Sequence, residues 1–569
     1  MDTRTLTGAE TFLRTLGSMG IEWIFASPGS EWAPVWEHLA KAYGPGEVPK
    51  YLSTRHEEIA LGMASGYYKT TGKAAAVMIH TTVGGLHGAM AMRGALHENV
   101  PMMVFTGESV AFGEDDSTDP GAQWMGSLVD IGGPARLLAP CVKWSFGLNA
   151  PAVLPSTIQR ACQIAMMPPR GPTFVSLPIE HLMGVMQNNA PSAAALPLRA
   201  QANQQGLEQL ADMLASAKNP VIVTEKAGET AGAQKLLVQI AELLASPVCE
   251  ARNTKVVNFP RTHPLHAGTN LQAVCKDADV LFMPGVIAPW NPPSKIPALR
   301  AKTAVLDENP LRQEKPVWGF QCDLTLVGDI ESSLGVLLTE LKKRVQPGDG
   351  ARKARAESWA ARTQAARKKA MDEAAALKSQ SPIDARWLAH EMNAVLPKDT
   401  IWVDETITTR SQLVPIYQNC ETFVTGSIGG LGTGLGTAIG CKAAHPGRPV
   451  VFTVGDGSFN YNPVTAGLGA MQEHKLPVLT IICNNRGYAS QQGELPHFYP
   501  GGHAVQTGNY SGTGINPNPE YSSLAPIFNG HGEKVEKPED LRPALQRGLK
   551  AIASGQLAVL DVRLPPINP

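Results

Sequence analysis

Short apolar runs alternate with helix-forming stretches along most of the chain, and this pattern predicts strands joined by helical crossovers. The runs are rich in Val, Ile, Leu and Phe, as expected for strands buried in a parallel sheet. Strands and helices that follow one another in this way indicate α/β domains. The predicted strands are 23–25, 74–80, 101–106 and 171–178, then 221–224, 280–283 and 303–306, and finally 400–403, 449–454 and 478–483.

Two stretches that lack this pattern divide the chain. Residues 186–204 are rich in Ala, Pro and Asn and are predicted to form a linker. Residues 347–379 are rich in Ala, Lys and Arg and predict a solvated helical connector, after which Ser381 and Pro382 are predicted to begin a new helix as its N-cap and first residue. We therefore expect an α/β protein of three domains, 1–185, 205–345 and 380–565, each a mostly parallel sheet flanked by helices.

Composition narrows the class of protein. The 569 residues carry a net charge of −1, so no general attraction to nucleic acid or to anionic membranes is expected. The eight cysteines are scattered singly, which favours buried thiols in a reducing compartment over disulfides or zinc. No apolar run is long enough to span a bilayer, and the N-terminus lacks a long apolar signal region. The expectation is a soluble, cytoplasmic protein.

The stretch from the strand at 449–454 to Gly487 carries the strongest chemical signal. It predicts a strand–helix–strand unit with Asp456 after the first strand and Asn485 after the second. Ligands bind at the carboxyl ends of such strands. Carboxylate and amide oxygens, with a main-chain carbonyl near Gly487, suit Mg²⁺. Glycines on either side of Asp456 (Gly455 and Gly457) let backbone N–H groups approach a phosphate at the start of the next helix.

This arrangement resembles the thiamine-diphosphate (ThDP) motif of the superfamily that contains pyruvate oxidase, acetolactate synthase and benzoylformate decarboxylase. The resemblance extends over nearly the whole chain and implies pyrimidine-binding, central and diphosphate-binding domains in that order. It implies metal binding by Asp456, Asn485 and Gly487. Leu431 matches the bulky residue that props the cofactor in its bent form. Further cofactor contacts are expected from Glu405, Thr406, Gly429, Gly455, Gly457, Ser458 and Tyr488.

Glu57 stands at the position of the family's cofactor-activating glutamate, within the segment Arg55-His56-Glu57. The resemblance implies that its carboxyl group hydrogen-bonds the aminopyrimidine ring and promotes loss of the thiazolium C2 proton. On the substrate side, Ser30 and His80 resemble a serine and a histidine of benzoylformate decarboxylase, and Gln491 stands where pyruvate decarboxylases carry a glutamate. The second catalytic histidine of benzoylformate decarboxylase has no counterpart in residues 286–293.

These features predict a ThDP- and Mg²⁺-dependent lyase or transferase that acts on a small carbonyl substrate, with the active sites of a homodimer or homotetramer lying between subunits. The leading expectation is a 2-oxo acid decarboxylase with carboligase capacity. An acetolactate synthase-like carboligase, a 2-hydroxyacyl-CoA lyase and a non-catalytic ThDP binder are the alternatives. FAD or ADP in the central domain is allowed by the resemblance, although no residue indicates it. NAD binding is discounted because residues 429–440 fit no dinucleotide fingerprint, and the Gly/Tyr/Asn-rich segment 491–520 is predicted to be a long loop that covers the substrate.

Overall fold

A computed structural model describes residues 6–108, 131–186, 193–251, 254–298, 300–312, 315, 318–320, 322–346, 349–426 and 430–567. Within these residues the chain forms three parallel sheets flanked by helices, as the alternation of apolar runs predicts. The predicted cofactor residue Gly429 lies outside the described residues.

The first sheet has the strand order β3-β2-β4-β5-β7-β6, with all neighbours parallel. A separate antiparallel pair, β1 and β8, joins the start of this region to its end. Thr7 caps α1, because its hydroxyl accepts a hydrogen bond from the Glu10 N–H at 3.2 Å. The elements are β1 Leu6–Thr7, α1 Gly8–Ser18, β2 Trp23–Ser27, α2 Ala33–Leu39, β3 Lys50–Ser53, α3 Glu57–Thr71, β4 Ala76–Ile79, α4 Thr82–Glu98, β5 Met103–Glu108, α5 Pro134–Leu138, β6 Trp144–Gly147, α6 Leu154–Met166, β7 Thr173–Pro178, α7 Ile179–Met183 and β8 Val185–Met186.

The central sheet has the order β10-β9-β11-β12-β13, again parallel throughout. Two of its strands, β10 and β13, are absent from the prediction because one is only three residues long and the other is half exposed. The elements are α8 Gln204–Ser216, β9 Pro220–Thr224, α9 Ala231–Leu244, β10 Val248–Glu250, α10 Leu271–Cys275, β11 Val280–Pro284, β12 Lys302–Asp307, β13 Leu324–Val327 and α11 Ile330–Arg344.

The third sheet has the order β15-β14-β16-β17-β19-β18. Counted from its own first strand, this order is the same as in the first sheet, so the outer domains share one topology around a different central domain. The elements are α12 Gly350–Ala375, α13 Ala385–Val395, β14 Ile401–Glu405, α14 Arg410–Leu413, β15 Thr422–Thr425, α15 Gly434–Ala444, β16 Val450–Gly455, α16 Asp456–Tyr461, α17 Val464–Glu473, β17 Leu479–Asn484, α18 Ala489–Phe498, α19 His503–Thr507, α20 Leu524–Ile527, β18 His531–Val535, α21 Leu541–Ala553 and β19 Ala558–Arg563.

Helices α3 and α15 join the outer domains by backbone contact. A Cβ atom placed on Gly62 would lie 2.9 Å from the Cα of Gly436, and one on Gly440 would lie 2.1 Å from the carbonyl oxygen of Met63. Such distances exclude any side chain at these positions. The glycines therefore allow the two helices to pack much more closely than the usual 8–10 Å between helix axes.

Two local predictions are wrong. Asp384, not Ser381, caps α13, because its carboxylate accepts a hydrogen bond from the Arg386 N–H at 2.8 Å. The segment 491–520 is not one long loop, because α18 extends to Phe498 and α19 follows it. The sequence analysis missed these helices because the segment is rich in Gly and Pro, residues that usually interrupt helices. Pro496 nevertheless lies inside α18.

Candidate functional site

Asp456 begins α16 directly after β16 and is the most unusual acid in the third domain. It is 1% exposed, and both carboxylate oxygens lack a hydrogen-bond partner. Burial raises the pKa of this carboxyl from 3.8 to about 6. A buried carboxylate without donors costs free energy unless a cation or donor satisfies it. Asp456 therefore has the free oxygens that a metal ion requires.

The other predicted metal ligands lie on the turn after β17. The Asn485 side-chain oxygen accepts a hydrogen bond from the Gly487 N–H at 3.2 Å, which leaves that oxygen a second lone pair. Asp456 and this turn are neighbours, because β16 and β17 pair in parallel up to Gly455 and Cys483. Oxygen donors in this number suit Mg²⁺ completed by water and phosphate oxygens.

The residue after Asp456 must be glycine, because the ring of Tyr488 packs directly against it. A Cβ atom on Gly457 would lie 2.7 Å from the ring of Tyr488, so only glycine fits under that ring. Ser458 is buried one residue further along, and its carbonyl accepts a hydrogen bond from the Asn462 side chain at 2.9 Å. The first turn of α16 thus places the N–H groups of Gly457 and Ser458 beside the predicted metal ligand Asp456, an arrangement that would suit a diphosphate.

Glu405 holds the loop that carries Leu431. One carboxylate oxygen accepts hydrogen bonds from the N–H groups of Gly432 and Thr433 at 2.7 and 3.3 Å, and the other accepts from Gly434 N–H and the Asn462 side chain at 3.3 and 2.9 Å. Burial raises the pKa of Glu405 to about 7. The Thr406 hydroxyl donates to Asp404 at 2.8 Å, so both residues shape the loop through contacts within the protein.

Glu57 begins α3 in the first domain and is buried. A Cβ atom on Gly84 would lie 3.0 Å from a Glu57 carboxylate oxygen and 3.0 Å from the Cβ of His80, so the glycine leaves room beside both residues. The other Glu57 oxygen lies 3.4 Å from Nδ1 of His87. The structure therefore brings the predicted activating acid and the predicted substrate histidine to one place.

His80 has an acidic partner that the sequence analysis missed. Its Nδ1 lies 2.8 Å from a carboxylate oxygen of Glu31, whose side chain is fully buried and whose other oxygen has no partner. This hydrogen bond raises the pKa of His80. Gly29 and Gly107 make the space, since a Cβ on either would collide with the pair. An acid directly after the turn at 27–30 was the available signal, whereas the predicted Ser30 is exposed.

Gln491 lies on the exposed face of α18, four residues after Gly487. The same helix ends in Phe498 and Tyr499, which are about two thirds exposed at 66% and 65%. The structure places Gln491 next to the predicted metal-binding turn in sequence, with its side chain exposed.

The central domain shows a carboxylate where its sheet order would place a ligand. In this order the crevice lies at the carboxyl ends of β9 and β11. Buried Glu225 follows β9, and one of its oxygens accepts hydrogen bonds from the N–H groups of Ile287 and, at 3.0 Å, Ala288. The chain's own acid therefore occupies these N–H groups at the crevice of the central sheet.

Comparison with known proteins identifies the cofactor that these groups fit. Three family models match the chain: the N-terminal TPP binding domain of thiamine pyrophosphate enzymes over residues 6–121, their central domain over 207–337, and their C-terminal TPP binding domain over 407–562. The chain belongs to the thiamine pyrophosphate enzymes. The free Asp456 oxygens and the glycine-lined turn of this ThDP-dependent enzyme agree with that assignment.

Several relatives of this ThDP enzyme are similar over their full length. Benzoylformate decarboxylase of Pseudomonas aeruginosa is 26% identical, with 97% of each chain covered. Acetolactate synthase isozyme 3 large subunit of Escherichia coli is 25% identical over 98% of this chain and 94% of that protein. The 4-hydroxybenzoylformate decarboxylase structure from Rhodococcus jostii covers 99% of this chain and 100% of its own at a TM-score of 0.79 and 24% identity, which supports the fold. Across the described part of the chain, no helix is both long and apolar enough to cross a bilayer.

Metal binding at Asp456 should compete with protons. Because the pKa of this carboxyl is about 6, we expect the affinity of cofactor-free protein for Mg²⁺ to fall about tenfold per pH unit below that value. The cofactor-free fold binds more protons than the unfolded chain between pH 3.8 and about 6, so its stability should fall as the pH rises through that window. Fluorescence titration of the cofactor-free protein with Mg²⁺ tests the first expectation, and equal affinities at about pH 5 and pH 7.5 would contradict metal binding by Asp456.

Proposed function

We propose that this ThDP enzyme is a 2-oxo acid decarboxylase of the benzoylformate decarboxylase type, with capacity to ligate carbonyl compounds. The observation that carries the proposal is the pairing of His80 with buried Glu31 beside Glu57. A histidine with a raised pKa can donate a proton or a hydrogen bond to a substrate carboxylate near neutral pH.

Bound ThDP would supply the carbanion chemistry at C2, with Mg²⁺ as the metal we propose. Glu57 would form a hydrogen bond with the aminopyrimidine ring through its buried carboxyl group, which lies beside Gly84. His80, held by Glu31, would orient the substrate carboxylate and then supply the proton that an aldehyde product requires. Asp456, Asn485 and the Gly487 carbonyl would hold the metal, and the first turn of α16 would hold the diphosphate.

We propose that the active site forms between two copies of the chain, in a homodimer or homotetramer. Glu57 and the metal-binding acid Asp456 belong to different domains. On α4, beside Glu57, Val83 and Leu86 are half exposed at 51% and 50%, which is unusual for apolar residues that flank a polar site. A second copy that brings its third domain to this face would cover them. In that assembly α18, with its exposed Phe498 and Tyr499, could cover the substrate.

Product analysis with ThDP and Mg²⁺ tests the proposed reaction. The panel contains pyruvate, benzoylformate, other 2-oxo acids and 2-hydroxyacyl-CoA thioesters, each with and without an acceptor aldehyde. Release of CO₂ with free aldehyde is the expected result. Release of CO₂ with an acetohydroxy acid and little aldehyde would instead make the protein an acetolactate synthase-like carboligase. Cleavage of the thioesters would make it an acyl-CoA lyase, and bound ThDP without turnover of any compound would contradict the decarboxylase proposal.

Glu31→Gln tests the role of the His80 pair. Without the Glu31 carboxylate, the pKa of His80 should fall. The decrease in kcat/KM that follows deprotonation of His80 should therefore begin at a lower pH in the variant. We expect turnover at neutral pH to decrease about 10–100-fold, as for other groups that position a catalytic side chain.

Ser30→Ala is the comparison for this variant. The Ser30→Ala change should affect KM without moving the pH profile of kcat/KM. Ser30 is exposed, and the hydrogen bond that raises the pKa of His80 comes from Glu31. A pH profile that is the same in Glu31→Gln and in the unchanged protein would show that Glu31 has no influence on the group that titrates.

A further inference from the structure

A second cavity lies where three parts of the chain meet, and none of its lining residues belongs to the site described above. Its volume is about 230 Å³. One wall is the central-domain segment 261–269, another is helix α12, and the third is the segment 414–418 after α14. Cavities at the junctions between domains are frequent places for small ligands.

The cavity is strongly basic. Arg261, His266, Arg362 and Arg367 line it, and none of its lining residues, all within the described chain, is acidic. Buried Glu250 lies behind this wall, with an oxygen 3.3 Å from Nε2 of His266 and 3.8 Å from Nε of Arg261. One carboxylate does not balance three guanidinium groups, so the surroundings favour an anion.

Arg261 is the decisive residue of this cavity. Its side chain is 1% exposed, and none of its three side-chain nitrogens has a hydrogen-bond partner. The guanidinium group lies 4.9 Å from the ring centre of Phe423 and 5.8 Å from that of Trp402, so aromatic faces cover it where acceptors would be expected. A buried guanidinium carries five N–H donors, and leaving them unpaired is costly. A carboxylate or phosphate accepts from such a group in bidentate fashion.

The remaining basic side chains are held in place by the protein. Arg367 donates to the carbonyl oxygens of Thr262 and His263 at 2.8 and 2.6 Å, which fixes α12 against the central domain. Arg362 lies over the ring of Trp359 at 5.1 Å and is exposed. One arginine is thus buried, one is part of the wall, and one is free to close over a ligand.

We propose that this cavity binds a small oxyanion, either inorganic phosphate or a short dicarboxylate, through Arg261 and Arg362. The volume is below the roughly 300–1,000 Å³ of sites for drug-sized molecules, which favours a small anion over a nucleotide or a CoA ester. The proposal is independent of the reaction at the ThDP site. The bound anion would join the central domain, α12 and the third domain through one set of hydrogen bonds.

An anion in this cavity would also be connected, through segment 414–418, to the loop that carries Leu431. Segment 414–418 follows α14 directly, and α14 begins with Arg410, whose Nε donates to Asp404 at 2.6 Å. Asp404 precedes Glu405, which holds the Leu431 loop. Anion binding should therefore raise the melting temperature of the protein and stabilise the third domain together with the central one.

Calorimetric titration of the ThDP- and Mg²⁺-saturated protein with phosphate and with malonate tests the proposal. Saturation with ThDP fills the diphosphate site, so phosphate bound there does not contribute. We expect saturable binding of at least one anion, with a matching rise in melting temperature that chloride at equal ionic strength does not produce. The absence of saturable binding of both anions would overturn the proposal.

Three variants locate the binding. Arg261→Met fills the space between the rings without charge and should abolish binding, and exposed Arg362→Ala should weaken it at least about threefold without affecting the fold. Lys369→Ala removes one charge from the exposed side of the same helix, where Lys369 pairs with Glu373, and should change nothing. Unchanged binding in both arginine variants would overturn the proposal, as would equal weakening in all three, because that result would indicate a general charge effect.

Discussion

Replacement of Glu57 by Gln should reduce turnover about 10²–10⁴-fold, the range that a lost acid–base group typically costs. Glutamine keeps the shape of the side chain but cannot exchange a proton with the aminopyrimidine ring. Glu57 is buried at the start of α3 beside Gly84, so its carboxyl group is shielded from bulk solvent. Binding of Mg²⁺ should change little, because the proposed metal ligand Asp456 lies in another domain.

Glu58→Gln is the matched control for this experiment. Glu58 is the next residue and equally buried, and burial raises the pKa of its carboxyl to about 8. Near pH 7 it is mostly protonated, so glutamine resembles the form already present and turnover should stay within about threefold. Steady-state rates at saturating cofactor, with the rate of C2 proton exchange followed by NMR, distinguish the two variants. Equal losses in both would mean that Glu57 acts only through packing.

Replacement of Asp456 by Asn should have opposite effects on the cofactor-free and the cofactor-bound protein. The variant loses a proposed metal ligand, so its affinity for ThDP with Mg²⁺ should fall by more than the roughly 10–100-fold that changes around metal ligands cause. Without cofactor, however, the variant no longer buries a carboxylate that lacks donors, which costs about 1–3 kcal/mol. The melting temperature of the third domain should therefore rise, by about 2–4 °C per kcal/mol.

Asp561→Asn provides the comparison in the same sheet. This acid is also buried, but its oxygens accept hydrogen bonds from the Asn484 side chain at 2.8 Å and from Tyr521 N–H at 3.3 Å, and it pairs with Arg563 at 2.8 Å. Its replacement should lower the melting temperature with and without cofactor. Thermal denaturation of both variants, each with and without ThDP and Mg²⁺, gives the four values needed. A cofactor-induced rise in Asp456→Asn as large as in the unchanged protein would rule out Asp456 as a metal ligand.

The sequence predicted the sheets well because buried parallel strands are continuous apolar runs. All ten predicted strands are present with small changes of boundary; 449–454, for example, became β16, Val450–Gly455. Among the described residues the structure has nine further strands that the sequence analysis did not predict: β1, β3, β6, β8, β10, β13, β15, β18 and β19. The short strand β10 and the half-exposed strand β13 carry too little apolar signal to stand out. Helix starts were less certain, since Ser381 and Asp384 are both good N-cap residues and only packing selects one.

Parts of the site that depend on side chains from distant segments could not be predicted in the same way. Asp456 and Asn485 lie at the ends of neighbouring strands, so a local motif is enough to bring them together. The pair of Glu31 and His80 depends on two glycines, Gly29 and Gly107, that make room from different segments. Arg261 is a further example, because its aromatic neighbours come from another domain. No spacing along the chain encodes such contacts.

The close contact between α3 and α15 also has a consequence for biosynthesis. Ribosomes complete α3 roughly 360 residues before they reach α15, which at about 5–20 residues per second is a delay of roughly 20–70 s. During that time the glycine face of α3 has no partner, and the nascent first domain exposes backbone and apolar side chains that the finished protein buries. Chaperone demand during translation should thus arise mainly from this one uncovered helix.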